Sequence, residues 1–400
     1  MEQATRTDIE TGIQPFQFTG SGGEYFKIWI VNLILGILTL GIYSAWAKVR
    51  TNRYFYGNTQ VDNTGFEYHA NPLAILKGRL IAVALLLIYV LADQLFPSVS
   101  AVLALSLLLA TPWIIWKSMQ FNARMTSFRN VRFGFYGSLQ DAYRYLLFIP
   151  TIPLLTALLA GIVMWFVTGS PEPGSYVMLA VVAFLVTWLM VPFLQQAITA
   201  YYIGSHRYGQ GLLQADLSIK RYYLIYLYMM GWSILMFIGI GLVAGVGMMF
   251  TGLGMAAMAP AADGGELAQI NLAPMLSVIV LIYIVMMIAG IWVKAYLKAK
   301  IRNHVFNNIK LDHVMQLQSS IATGRLFGFY LVNMLLMICT LGLAWPWIKV
   351  RSARLMADTT QAHLAGSLDE YVSLQQRGQS AIGDEVGEAF DVDANLDLAF

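Results

Sequence analysis

The stretch YLLFIPTIPLLTALLAGIVMWFV, Tyr145–Val167, holds no charged residue over 23 positions. At a helical rise of about 1.5 Å per residue it is roughly 34 Å long, enough to cross a hydrocarbon core of about 30 Å. Seven more apolar runs share the chain with it: Ile28–Trp46, Leu80–Phe96, Ala101–Trp116, Tyr176–Leu194, Tyr222–Phe250, Pro274–Val293 and Phe327–Trp347. Backbone amides in lipid find no water, so each must pair within its own segment, and runs this apolar are predicted to be helices. Composition agrees. Apolar residues make up 58% of the 400 residues and charged residues only 12%, against roughly 45–50% and 25% in soluble domains. A soluble chain of this length lacks the charge to cover its surface. The predicted fold class is all-α: a polytopic transmembrane helix bundle with six spans. Two repeat-related segments, Phe26–Trp46 and Phe327–Trp347, either span or re-enter.

The segments between the runs alternate in chemistry. Lys48–Arg79 carries Lys48, Arg50, Arg53, Lys77 and Arg79. Lys117–Arg144 carries Lys117, Arg124, Arg129, Arg132 and Arg144. Gly204–Arg221 holds Arg207, Lys220 and Arg221, and Lys294–Arg325 holds Lys294, Lys298, Lys300, Arg302, Lys310 and Arg325. The other three connections, Asp93–Ser100, Gly169–Ser175 and Thr251–Ala273, have no lysine or arginine. Basic loops stay on the cytoplasmic side, so this alternation places the four basic loops inside and the three others outside. The N-terminal residues Glu2, Asp8 and Glu10 against Arg6 do not form the basic lead of a cleavable signal, and the first apolar run is expected to be retained. The expected location is a bacterial inner (plasma) membrane.

The first run returns as the last. Gly23 matches Gly324, Val31-Asn32 matches Val332-Asn333, and Thr39-Leu40-Gly41 matches Thr340-Leu341-Gly342. Trp46 matches Trp347, Lys48-Val49-Arg50 matches Lys349-Val350-Arg351, and Arg53 matches Arg354, all at one constant offset. Apolar composition alone would not bring asparagine, tryptophan and the basic residues into register. The predicted organisation is a polar segment over 1–22, then a transmembrane domain over 23–356 containing the repeat (23–54 and 324–355). Last comes an acidic, partly disordered tail over 357–400. A full crossing by Phe327–Trp347 would put Lys349, Arg351 and Arg354 outside, against the charge rule. Re-entrant copies that turn at the Thr-Leu-Gly motifs resolve the conflict. A full span with a kink and an interfacial continuation is the alternative.

Three stretches carry a family resemblance: Phe18-Thr19-Gly20; Thr39-Leu40-Gly41-Ile42-Tyr43 through Trp46-Ala47-Lys48-Val49-Arg50; and Arg132-Phe133-Gly134-Phe135 with Gly137-Ser138-Leu139. In these the chain resembles the YjgN-like family of bacterial inner-membrane proteins, a family of unknown function. The resemblance covers most of residues 16–356. It implies an inner-membrane location and offers no catalytic or binding residues.

Candidate chemistry is sparse. Asn32 and Asn333 are polar groups at matched places in apolar runs. They read either as interhelical hydrogen-bond glue or as a ligand pair about a pseudo-twofold axis, as in transporters built from repeats. Trp46, Lys48, Arg50 and Trp347, Lys349, Arg351 form two aromatic–basic clusters. These read as interfacial anchors, or as a site for an anionic headgroup or substrate. No catalytic constellation, metal-ligand spacing or cofactor motif is present in the sequence, so an enzyme is not expected, nor a cofactor or a nucleic-acid partner. The expected partners are membrane lipids and a small solute. The favoured reading is a permease or channel-like protein for that solute, and the alternative is a non-enzymatic scaffold or lipid-interacting protein.

Overall fold

The computed structural model describes residues 12–169, 173–257 and 273–389. Residues 170–172 and 258–272, in the connections Gly169–Ser175 and Thr251–Ala273, lie outside the described residues. So do the chain before residue 12 and the tail beyond residue 389. The described chain opens on β1 (Gly12–Pro15) and β2 (Gln17–Phe18), followed by α1 (Gly22–Leu38) and α2 (Ser44–Asn58). The pair β3 (Thr59–Val61) and β4 (Thr64–Tyr68) leads into α3 (Pro72–Leu95) and α4 (Pro97–Arg124). Next come β5 (Thr126–Phe128), β6 (Val131–Phe135), α5 (Leu139–Tyr143), a π-helical turn over Arg144–Phe148, α6 (Ile149–Thr168) and α7 (Pro173–Gly204). The pair β7 (His206–Tyr208) and β8 (Gly211–Ala215) precedes α8 (Ile219–Ala257) and α9 (Ala273–Phe306). Then follow β9 (Ile309–Leu311), β10 (Met315–Ser319), α10 (Thr323–Cys339), α11 (Trp345–Asp358), β11 (Thr360–Leu364) and α12 (Leu368–Ala389).

Six helices are long and apolar enough to cross a membrane: Pro72–Leu95, Pro97–Arg124, Leu139–Thr168, Gly174–Gly204, Ile219–Gly247 and Leu276–Phe306. These are the six expected spans. Their side chains are largely uncovered by protein; no residue in the most apolar window of α3 is buried. Lipid is the solvent for such a surface. Asn71 starts α3 by accepting the Leu73 N–H at 2.9 Å, with Pro72 in the first turn, where its missing N–H is harmless. The π turn falls just before Pro150 and Pro153, residues with no N–H for a regular ladder.

Each basic loop holds a strand pair, which the apolar periodicity did not disclose. Turn residues explain why. Asp62 and Asn63 (φ 50° and 56°) and Arg129 and Asn130 (φ 48° and 63°) close two-residue hairpins in the left-handed region. Gly209 and Asp312 also take positive φ in their turns. Asn, Asp and Gly tolerate that region best. The strands join in the order β1-β11-β10-β9-β8-β7-β6-β5-β4-β3-β2, antiparallel throughout. The two ends of that order, β1 and β2, are separated only by Phe16, so the order comes back on itself. Phe16 N–H donates to Thr360 O and Thr19 N–H to Asn58 O, both at 3.0 Å.

Two compact units divide the chain: Met1–Ile219 with His304–Ser320 and Leu343–Phe400, and Lys220–Asn303 with Ile321–Gly342. All the strands belong to the first. Its core gathers Val61, Phe128, Val131, Tyr208, Leu311, Ala362 and Leu364 from the strands with Leu368, Tyr371 and Val372 from α12. Those α12 residues sit at i, i+3 and i+4, one face of a helix. Tyr371 Oη donates to Asp312 Oδ2 at 2.6 Å, Gln376 Nε2 to Arg129 O at 2.8 Å, and Arg129 pairs with Asp62 (2.6 Å) and Asp369. The stretch expected to be an acidic, partly disordered tail therefore contributes a strand and a docked helix. Its few apolar residues are spaced for a partner that the linear sequence does not display. In the second unit Trp232 meets Trp292 at 5.0 Å, and Lys294 Nζ lies 5.4 Å from the Tyr330 ring. Asn303 there exchanges two hydrogen bonds with the Ile321 backbone, at 2.9 and 3.0 Å.

Burial pushes the Tyr208 phenol above its ordinary pKa, keeping it a donor to Phe128 O at 3.0 Å. Tyr208→Phe should remove that hydrogen bond and destabilise the first unit by about 0.5–1.5 kcal/mol, read as a lower thermal midpoint in detergent. An unchanged midpoint would contradict this packing. At Gly211 an added Cβ would fall on the Tyr371 hydroxyl. Gly211→Val should therefore loosen α12 and raise amide exchange across residues 368–378.

Candidate functional site: a basic groove on a helical hairpin

The first apolar run is not one helix. α1 ends at Leu38, and the chain turns through Leu40 (φ 50°) and Gly41 (φ 90°). Gly41 N–H reaches back to Gly36 O at 2.7 Å, and Thr39 Oγ1 donates to Leu35 O at 2.7 Å while accepting the Tyr43 N–H at 2.9 Å. Together these satisfy carbonyls and amides that a helix end would otherwise leave open. The last run repeats the device. Leu341 has φ 50° and Gly342 φ 91°, Gly342 N–H bonds Met337 O at 2.9 Å, and Thr340 Oγ1 bonds Leu336 O at 2.6 Å. What the sequence repeats is a backbone conformation.

α2 then runs back along α1. Tyr25, at the start of α1, stacks on Tyr54 near the end of α2 (centroids 5.4 Å) and meets Phe55 edge-on at 4.7 Å. The Tyr54 hydroxyl accepts from Ser21 N–H at 2.8 Å. α11 also lies against α1. Phe26 stacks on Trp347 at 4.8 Å, and Arg354 donates to Gly20 O at 3.1 Å. Gly22 permits this approach, since a Cβ there would stand 2.3 Å from the Trp347 ring.

Between these helices lies a groove of about 380 Å³ lined by Trp29, Asn32, Leu33, Ser44, Ala47, Lys48, Thr51, Asn52 and Lys349. Lys48 and Lys349 are equivalent positions of the repeat, so one from each copy faces the same space. Neither forms an ion pair among the described residues, and no carboxylate lines the groove. Lys349 Nζ sits 5.2 Å from the Phe55 ring and 5.7 Å from the Tyr25 ring. Arg79 of α3 donates to Ser44 Oγ and brings a third cation to the rim. Asn32 Oδ1 is buried with no hydrogen-bond partner among the described residues, an arrangement that calls for an external donor. Two ammonium groups, hydroxyls and two amides with nothing acidic between them are the kind of donor set that an oxyanion requires.

Of the residues singled out from sequence, Asn32, Lys48 and Lys349 come together here. Trp347 braces the groove from outside through Phe26. Trp46 stacks on Tyr43 at 6.1 Å, and Arg50 and Arg351 are exposed, none of the three lining the groove. Asn333 lies in α10 of the second unit, where it is buried. Sequence reading missed Ser44, Thr51, Asn52 and Arg79 as members of the site. Thr51 and Asn52 lie one turn beyond Lys48, the spacing that could have exposed them. Arg79 comes from another helix and carried no such signal.

Residues 13–389 match a family described as "Bacterial protein of unknown function (DUF898)". The chain is 28% identical over 375 residues, 88% of each chain, to the inner membrane protein YjgN of Salmonella typhimurium (strain LT2). It is 33% identical over 171 residues, 42% of each chain, to the inner membrane protein YjgN of Escherichia coli O157:H7. With the protein of that name from Escherichia coli strain K12 it is 34% identical over 148 residues, 36% of this chain and 37% of that one. No solved structure matches the chain. With the six apolar helices, these relatives make it a multi-pass inner-membrane protein. It belongs to the DUF898 family of bacterial proteins of unknown function.

Proposed function

We propose that the protein is a non-enzymatic membrane protein that holds an anionic phospholipid headgroup at the cytoplasmic surface, in the groove between Lys48 and Lys349. The observation that carries this reading is the convergence of two repeat-equivalent lysines on one groove free of carboxylates. Depth supports it. Arg79 bonds Ser44 at the start of α2, and the uncharged stretch of α3 begins at Leu80. The turn of the hairpin thus sits where the hydrocarbon begins, with Lys48 one helical turn back from it, at headgroup level. The turn exposes Leu38, Leu40 and Ile42, at 73%, 95% and 53%, a tip suited to acyl chains. On this reading α1–α2 is a shallow re-entrant hairpin, and its copy turns in the same way. The exposed Leu33, Ile34 and Ile37 beside the groove offer a path for lipid tails. A headgroup hydroxyl would supply the donor that Asn32 Oδ1 lacks. The four strand-bearing loops then face the cytoplasm, in keeping with their charge.

Lys48→Gln combined with Lys349→Gln should weaken retention of phosphatidylglycerol over phosphatidylcholine by about thirtyfold, from about 1 kcal/mol per lysine. The loss should shrink as salt rises. Native mass spectrometry of detergent-released protein reads the ratio. Equal retention of both lipids by the wild type sinks the reading, and displacement by millimolar inorganic phosphate alone would point to a free anion as the ligand. For orientation, single cysteines at Gln17, Lys310 and His313 in a Cys339→Ser background should react in intact cells only with membrane-permeant thiol reagents. Reaction with an impermeant reagent would reverse the topology.

A further inference from the structure

A second cavity, about 560 Å³, opens beside the strand assembly. Its wall is aromatic: Phe16, Phe55, Tyr56, Phe66, Phe133 and Tyr202. Phe16, Phe66 and Phe133 also pack against the core that α12 covers, so the wall is fixed from behind. The volume lies within the range of small-molecule sites, roughly 300–1,000 Å³. No lysine, arginine, aspartate or glutamate lines it. A charged ligand would enter without a partner, at high desolvation cost.

Three polar groups of the wall are already committed as donors, while the hydroxyls of Tyr56 and Tyr202 can donate or accept. Thr59 Oγ1 donates to Phe55 O at 2.8 Å and Thr126 Oγ1 to Asn122 O at 2.9 Å. The Asn122 amide donates to Ser118 O at 2.8 Å. His206 Nδ1 lies 2.6 Å from Tyr202 O, a carbonyl that can only accept, so the ring proton sits on Nδ1 and Nε2 keeps its lone pair. Burial lowers the pKa of His206 and favours this neutral form. The cavity therefore offers an imidazole acceptor and phenolic hydroxyls within an aromatic wall.

We propose that this cavity binds an uncharged, largely apolar molecule that carries a hydroxyl group, such as an aromatic or aliphatic alcohol. The site is separate from the basic groove and does not depend on it. The two take opposite chemistries: the groove an anion, the cavity a neutral alcohol.

Photolabelling of the full-length protein in lipid nanodiscs tests this with three matched probes: para-(hydroxymethyl)benzophenone, its para-methyl analogue without the hydroxyl, and para-benzoylbenzoate. Mass spectrometry should map the alcohol to residues 55–59, 122–133 and 202–206, saturably. The carboxylate should label those residues at least about tenfold less, and the methyl analogue should label them less than the alcohol. Ala353→Trp, which fills the cavity, should remove these labels while leaving those on the outer faces of the spans. Labelling confined to the spans in wild-type protein overturns the proposal, whatever the variant does. Equal cavity labelling by the carboxylate overturns its charge selectivity, and equal labelling by the methyl analogue overturns the need for a hydroxyl.

Discussion

Hydrocarbon gives backbone amides nothing to bond with, and the whole chain is arranged around that fact. Inside the six spans the backbone pairs along its own helix. Where the chain must turn between α4 and α5, or between α7 and α8, it cannot do so in lipid, and it does so in strand pairs that bond to one another. Each hairpin alone would expose unpaired edges. Joined in an order that comes back on itself through residues 12–18, they leave few edges open. The core beneath α12 follows from the same constraint, since it is made from the side chains those turns bring together.

The two Thr-Leu-Gly turns are the exception to the division between span and strand. At each the helix stops short because Leu-Gly in the left-handed region ends it, and a threonine hydroxyl satisfies the carbonyl left behind. Leucine at positive φ is strained, by about 1 kcal/mol or more, yet it recurs at both copies. The strain has a counterpart in geometry. In the first copy it turns the chain back so that the basic helix α2 lies beside α1 instead of beyond it. Lys48 comes to lie beside Asn32, and α11 brings Lys349 to the same groove. The charge conflict posed by a full crossing disappears when the hairpin is shallow.

The membrane class, the six spans and the repeat were legible because each depends on local composition. Tyr145–Val167 needs no partner to be read as a helix in lipid. The strands were not legible, because Thr59–Val61 or Thr126–Phe128 are too short for an alternating pattern and gain their pairing from distant loops. Their turn pairs, Asp62-Asn63 and Arg129-Asn130, were the available signal. α12 was read as part of an acidic tail because Leu368, Tyr371 and Val372 are few among charges, and their value depends on the surface they cover. For the groove, sequence named Asn32, Lys48 and Lys349 but assigned the asparagine and the lysines to different roles. Only the fold of α2 onto α1 joins them. The aromatic cavity draws one or two residues from each of several helices and strands, a pattern that no linear motif carries.

The central claim is the shallow hairpin that sets two lysines at headgroup depth. A nitroxide at Leu40 in reconstituted protein measures it most directly, through the relative relaxation by oxygen and by an aqueous nickel chelate. The account predicts a label at Leu40 accessible to oxygen and shielded from the chelate, with a label at the exposed Arg50 accessible to chelate added on the cytoplasmic side. Relaxation of the Leu40 label by chelate on the opposite side of the membrane would mean that α1 crosses fully, and would contradict the account.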